Sequence, residues 1–319
     1  MLKTAKEVFD IEIEALKNLR NRIDENFNQS VKTILGCKGK VVVCGMGKSG
    51  NIGRKIAATF ASTGTPAFFL HPAEALHGDM GMLSSNDIVL AISYSGETDE
   101  FDVVLPAIKR MGLQLISMTG NTRSTLAKYS DIVLDISVKR EACPLGLAPT
   151  ASTTATLVLG DALAIAVLKE KGFTKKDFAF LHPGGTLGKR MLLRVVDLMH
   201  KGDELPIVRE SDTLRKAIII MSQKRFGIIA VVDKKQRLVA VFTNGDLMRA
   251  LEKHKVPPLE DAIKNFSTYN PKTIEKDALA NEAIKKMEDF KITVLMITDK
   301  QGKLEGLIHM HDILSQGIM

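Results

Sequence analysis

Slid along itself by 66 residues, the chain falls into register over its last third. Ala217 meets Ala283, Met221 meets Met287, Asp233 meets Asp299, Leu238 meets Leu304 and Asp246 meets Asp312, without a gap from about 214 to 248. A fixed offset over that length marks one small module duplicated. Each copy reads as helix, strand ("GIIAVVD", "ITVLMITD"), turn, strand ("LVAVFT", "LEGLIH"), helix. Pro257-Pro258 sits in the connector, so the copies are expected at 196–256 and 257–319, with a separate domain over 1–195.

That domain has another grammar. Leu16, Leu19, Ile23, Phe27, Val31 and Leu35 recur at three- and four-residue steps, which predicts helix through residues 1–35. Apolar runs at 41–44, 67–70, 88–92, 113–118 and 132–136 then alternate with helical stretches at 50–61, 98–111, 122–129 and 151–170. Strand-helix alternation predicts an α/β fold, a doubly wound parallel sheet flanked by helices, followed by the pair of α+β repeats.

The first strand runs into "VVVCGMGKSGNIGRK", with Gly45, Gly47 and Gly50 spaced as G-x-G-x-x-G. A nucleotide P-loop ending in Lys48-Ser49 needs Gly at position 42, where Val stands. A dinucleotide site needs an acid closing the second strand, where "AFFL" ends in His71-Pro72. What remains is shared physics: glycines allow close backbone approach, helix amides face an anion, and Lys48 adds a point charge. After the third strand, "ISYSGETDE" sets Ser93, Ser95, Gly96 and Thr98 before a helix, more hydroxyls than a cap requires. Thr150, Ser152, Thr153 and Thr154 open the helix at 151–170 in the same way. In an open parallel sheet the ligand lies outside the carboxyl ends of the strands, and Lys48, Ser93 to Glu100 and Glu141 all follow strand ends. The expected ligand is a phosphorylated small molecule.

Composition removes other classes. A formal charge of +7 admits an anionic ligand, but no Trp, three Tyr and no long Lys/Arg run argue against nucleic acid. Cys37, Cys44 and Cys143 form no C-x-x-C and leave one unpaired, as expected of structural thiols in a reducing compartment. "ATLVLGDALAIAVL" is interrupted by Asp161 and is expected to be too short to span a bilayer. The early acids of "MLKTAKEVFDIE" do not suit a signal peptide. A cytoplasmic protein without membrane contact is the expectation.

"GMGKSG", "SYSGET" and "HPGGTLGKR" resemble a sugar isomerase (SIS) domain, and the duplicated tail resembles a pair of cystathionine β-synthase (CBS) motifs. With "HGDMGML" and "EACPLGLAPTASTTATLVLGDALA", the whole chain resembles the D-arabinose-5-phosphate isomerase family. The resemblance implies interconversion of D-ribulose 5-phosphate and D-arabinose 5-phosphate, feeding 3-deoxy-D-manno-octulosonate (Kdo) biosynthesis for lipopolysaccharide or capsule. It also implies a homotetramer in which neighbouring subunits complete each site.

Such an isomerase needs a base for a C–H proton, a cation or donor for the enediolate oxygen, and a group that opens the sugar ring. By resemblance the catalytic residues are Lys48, Glu100, Glu141 and His182. Lys48 suits the enediolate or the phosphate, one of the two glutamates is the base, and His182 suits ring opening. Gly47, Ser49, Ser93, Ser95, Gly96, Thr98, Thr150, Ser152 and Thr153 are the expected substrate contacts. His71, His77 and Asp79 match no compact ligand spacing, and the resemblance associates His77 with zinc that inhibits, so no cofactor is expected to be required.

CBS pairs bind adenosyl nucleotides with a hydroxyl residue and an Asp three positions on. "VFTNGD" supplies Thr243 and Asp246, whereas "LIHMHD" has His309 in place of the hydroxyl and keeps only Asp312, so one nucleotide site is expected more readily than two. A purely structural pair stands equal with a sensor, since fold alone does not give function. A non-catalytic sugar-phosphate sensor is the competing class. It needs only the phosphate cradle, and no helix-turn-helix is legible in the first 35 residues.

Overall fold

A computed structural model describes residues 1–253, 256 and 258–317. Pro257 of the expected connector lies outside the described residues. The chain divides into two compact units, Met1–Phe178 and Ala179–Met319. The expected domain boundary at 195 therefore falls inside the second unit.

The first unit opens with two helices where the heptad-like pattern predicted one. α1 (Leu2–Asn21) stops at Arg22, and α2 (Glu25–Gly36) restarts behind Asp24, whose carboxylate accepts the Asn26 N–H at 2.9 Å. A side-chain cap satisfies an orphan amide and lets the apolar stripe continue across a break. Then come β1 (Val41–Gly45), α3 (Gly47–Ser62), β2 (Ala67–Leu70), α4 (Pro72–Leu76), β3 (Ile88–Ile92), α5 (Asp99–Arg110), β4 (Gln114–Thr119), α6 (Thr125–Tyr129), β5 (Ile132–Asp135) and α7 (Ala151–Glu170).

The five strands are all parallel, in the order β2-β1-β3-β4-β5. Alternate residues feed two cores. Val41, Val43, Leu90, Ile92, Ile116 and Met118 point to one face, covered by α1, α2, α3 and α7, while Val42, Cys44, Val89, Ala91 and Leu115 point to the other, covered by α4, α5 and α6. This is the expected doubly wound sheet. Burial pushes the Cys44 thiol up to about 12, as befits an inert core group.

α7 corrects one sequence expectation. At 20 residues it is long and apolar enough to cross a membrane by length and composition, although half of its most apolar window is buried. Ala155, Leu159, Leu163, Ala164 and Val167 join the core beneath the sheet, which explains the hydropathy without lipid.

In the second unit, α8 (Lys175–Leu181) bridges the division and α9 (Thr186–Leu192) follows. The first repeat contains β6 (Ile207–Arg209), α10 (Leu214–Lys224), β7 (Ile228–Val232), β8 (Leu238–Thr243) and α11 (Asn244–Lys253). After β9 (Thr268–Tyr269), the second repeats the plan as β10 (Thr273–Ile274), α12 (Ala280–Phe290), β11 (Val294–Thr298), β12 (Leu304–His309) and α13 (Met310–Leu314). The sheets run β6-β7-β8-β9 and β10-β11-β12. Ile228, Ala230 and Val241 of one repeat pack with Val294, Met296 and Leu307 of the other, so each buries apolar surface on its twin. The repeats also exchange edges: β9, near the start of the second copy, pairs with β8 of the first, and His200, near the start of the first copy, bridges Leu307 of the second.

Candidate active site and nucleotide cleft

The β2-β1-β3 order creates a switch point between β1 and β3, whose connections leave toward opposite edges of the sheet. That is where an open α/β sheet offers its carboxyl-edge crevice. Gly45 pairs with Ile92, so the loops carrying Lys48 and Ser93 leave side by side. α3 begins at Gly47, three residues before the expected start, because Gly50 closes onto β1. A Cβ there would stand 2.6 Å from the Gly45 carbonyl oxygen. No side chain caps the start of α3, and among the described residues the exposed Lys48 ammonium has no ion-pair or hydrogen-bond partner. An uncapped helix start carrying a free cation favours an anion.

Lys48 shares a cavity of about 390 Å³ with Gly47, Gly50, Asn51, Arg54, Phe69 and His71. The Arg54 guanidinium lies 4.3 Å from the centre of the Phe69 ring, and the buried Nδ1 of His71 has no hydrogen-bond partner. Asn51, Arg54 and His71 were not among the expected substrate contacts. The signal for the first two was present: positions 48, 51 and 54 follow a helix face at three-residue steps.

The Ser93–Thr98 loop is organised mainly by its own bonds. Buried Ser93 Oγ stands 3.0 Å from Thr98 Oγ1 and accepts the Gly96 N–H at 3.1 Å, and Ser95 Oγ accepts the Glu97 N–H at 3.2 Å. Glu97 accepts the Thr125 N–H at 2.9 Å, which ties the loop to α6, and the Thr125 hydroxyl together with that N–H holds its carboxyl below the usual range. Glu100 lies in the first turn of α5, half-buried, with no hydrogen bond among the described residues.

Glu141 differs. Its Oε2 accepts the Thr150 N–H at 2.8 Å, the Thr150 hydroxyl at 2.9 Å and the Ser152 N–H at 3.2 Å. Burial alone raises its pKa, but hydrogen bonds from Ser152 and Thr150 outweigh burial and hold it below the ordinary carboxylate value. The third hydroxyl cluster therefore departs from the expected open cradle. Thr150 is spent on Glu141, Thr153 Oγ1 donates to the Thr150 carbonyl at 2.8 Å, and Ser152 is buried. The connection after β5 is tied beside β3 by Tyr94, whose hydroxyl accepts the Val138 N–H at 3.1 Å.

His182 belongs to the second unit, in the turn between α8 and α9, where its carbonyl accepts the Gly185 N–H at 3.1 Å. His77 and Asp79 are exposed, and among the described residues no three His, Cys, Asp or Glu side chains cluster to hold a metal. Cys143 is half-exposed, and backbone amides of Ala148, Leu147 and Leu145 hold its pKa below the ordinary thiol value.

Between the repeats lies a cavity of about 690 Å³. Thr243 and Asp246 meet at its wall. Asp246 Oδ2 accepts the Thr243 N–H at 2.8 Å and its hydroxyl at 2.6 Å, while Oδ1 takes Arg249 and the Thr268 hydroxyl. Burial alone raises the Asp246 pKa, and these bonds reverse the sign and lower it. Arg225, Arg249, Lys272, Lys291 and His309 surround this single acid, with Phe226, Pro271, Ile292 and Met296 as apolar wall.

Comparison with known proteins places these features in a family. The SIS domain family matches residues 34–166, and the CBS domain family matches 195–253 and 263–317. Arabinose 5-phosphate isomerase KdsD of Pseudomonas aeruginosa is 51% identical over 100% of this chain and 97% of its own length. Arabinose 5-phosphate isomerase KdsD of Escherichia coli K12 is 48% identical over 99% and 96%. An Escherichia coli CFT073 protein solved in complex with A5P is 47% identical over 57% of this chain and 97% of that one, with a TM-score of 0.56. With an SIS sheet, two CBS repeats and such identity along its whole length, the chain belongs to the arabinose 5-phosphate isomerase family.

Proposed function

We propose that the chain interconverts D-ribulose 5-phosphate and D-arabinose 5-phosphate through an enediolate, supplying Kdo biosynthesis. The observation that carries the catalytic reading is Lys48, unpartnered among the described residues, at the uncapped start of α3 beside the β1–β3 switch point. In the ketose-to-aldose direction a base takes the C1 proton, the C–H pair becomes the C1=C2 bond, and charge collects on O2. A proton then returns to C2 while the O1–H proton passes to O2, which leaves C1=O and a C2 hydroxyl. No electron leaves the substrate.

Lys48 stabilises the anionic oxygen or the phosphate. Glu100 is the proton shuttle, since its carboxylate is not committed elsewhere, whereas Glu141 is fixed as an anion against α7. His182 assists ring opening, since an imidazole both gives and takes protons. Ser93, Ser95, Gly96 and Thr98 cradle the phosphate, helped by Gly47 and Ser49. Thr150, Ser152 and Thr153 act through Glu141. The enzyme works in the cytoplasm as a homotetramer, for which exposed Phe9 and Ile13 on α1 and Val158 and Ile165 on α7 supply apolar contact surface.

The test is proton NMR of chelator-treated enzyme with D-ribulose 5-phosphate in deuterated water. The expected result is arabinose 5-phosphate carrying deuterium at C2. Glu100→Gln is expected to slow this by about 10²–10⁴. Substrate binding without conversion or exchange leaves a sensor and sinks the enzyme.

A further inference from the structure

The two ligand positions implied by a CBS pair differ in sequence, and the contacts of His200 set them apart in the structure. β9 pairs Thr268 with Val241, and the bridge of the other copy pairs His200 with Leu307. Val241 and Leu307 are 66 residues apart, the repeat offset, so His200 occupies the structural place of Thr268. Their contacts correspond as well. Thr268 Oγ1 donates to Asp246 Oδ1 at 3.0 Å, and His200 Nε2 stands 3.0 Å from Asp312 Oδ2.

A ring in place of a hydroxyl changes the space available. The other nitrogen of His200 stands 3.0 Å from Glu204 Oε2, and the imidazole packs on Phe226 with 4.7 Å between ring centres. Three neighbours thus fix it. The backbone brings it close: a Cβ on Gly306 would stand 2.7 Å from the His200 carbonyl oxygen, and the equivalent residue in the first copy is Ala240. The second hydroxyl of the open side, Thr243, is likewise matched by an imidazole, His309, whose Nδ1 accepts the His311 N–H at 3.0 Å. Asp312 faces His200 where a ribose diol would need it.

We propose that His200, locked by Glu204, Phe226 and Asp312, closes one side of the repeat pair, so that the nucleotide subsite expected of a CBS pair is retained on the Thr243–Thr268 side alone. The ligand class rests on the nucleotide reading of the CBS pair and on the cations Arg225, Arg249, Lys272 and Lys291 around the open cavity. The closure rests on the His200 contacts alone. This makes the two parts separable.

Titration calorimetry of the full-length protein with AMP, ADP and ATP reads the first part. The expected stoichiometry is one nucleotide per chain, weakened at least tenfold by Lys272→Glu and unchanged by Asp312→Asn. Two nucleotides per chain, falling to one in Asp312→Asn, overturns the closure. No binding of any of the three overturns the single-site assignment and the nucleotide reading with it. A ligand-free cycle reads the second part. His200→Ala and Asp312→Asn should each lower Tm by about 2–4 °C, and the double variant by no more than the larger single shift. Additive shifts show that the two residues do not hold each other and overturn the lock.

Discussion

α3 and α7 both start at the carboxyl edge of the same sheet, and both starts looked alike in the sequence: small residues and hydroxyls ahead of a helix. The structure treats them oppositely. α3 has no capping side chain and presents Lys48 without a partner among the described residues. α7 has its first amides and the Thr150 hydroxyl engaged by Glu141, nine positions upstream. One helix start is left open to solvent, and the other is neutralised from within. An N-terminal dipole that anchors a loop in the second case is available to an anion in the first.

Breaking that contrast should separate activity from stability. Lys48→Ala is expected to cost about 10²–10³ in turnover while leaving Tm unchanged, because the ammonium has no ion-pair or hydrogen-bond partner among the described residues. Steady-state rates and a thermal melt on the same sample check both halves, and a large fall in Tm would show that Lys48 is structural.

Glu141→Gln should lower stability by about 1–2 kcal/mol, the scale of a lost cap, measured by urea unfolding. The pH dependence has a definite sign. The folded pKa of Glu141 is depressed. Its stabilisation is therefore full above the unfolded value of about 4.3 and is lost as pH falls through the folded pKa. The gap between wild type and the Gln variant should narrow on acidification, and a constant gap would mean the charge is irrelevant.

The smallest effect sharpens the α3 side. Arg54→Ala should raise KM severalfold with little change in kcat, because Arg54 lines the Lys48 cavity from the next turn of the helix. An unchanged KM would place that cavity outside the substrate path.

The strands of the SIS sheet were legible because buried parallel strands are uninterrupted apolar runs, and each of the five expected strands lies within one residue of its observed ends. Periodicity failed where a cap intervened, as at Asp24, and where elements were too short to show a period: α4 has five residues, and β9 and β10 two each. The site was legible as residue types following strand ends. The partnership of Glu141 with Thr150 and Ser152 was not, since it depends on how the 136–150 connection turns back. His200 was invisible for a related reason. It lies ahead of the gap-free register, which begins near 214, and only strand pairing shows that it stands where Thr268 does.

The exchanged edges between the repeats bear on how this half of the chain folds. The strand that completes the first repeat's sheet is delivered by the segment leading into the second, and His200 returns the exchange. Neither copy owns a finished sheet. A chain cut after α11 would leave β8 with a row of unpaired backbone groups, a template for pairing with other chains. The two repeats should therefore melt in one cooperative transition, and duplication here has produced a single folding unit with twofold pseudosymmetry rather than two small domains.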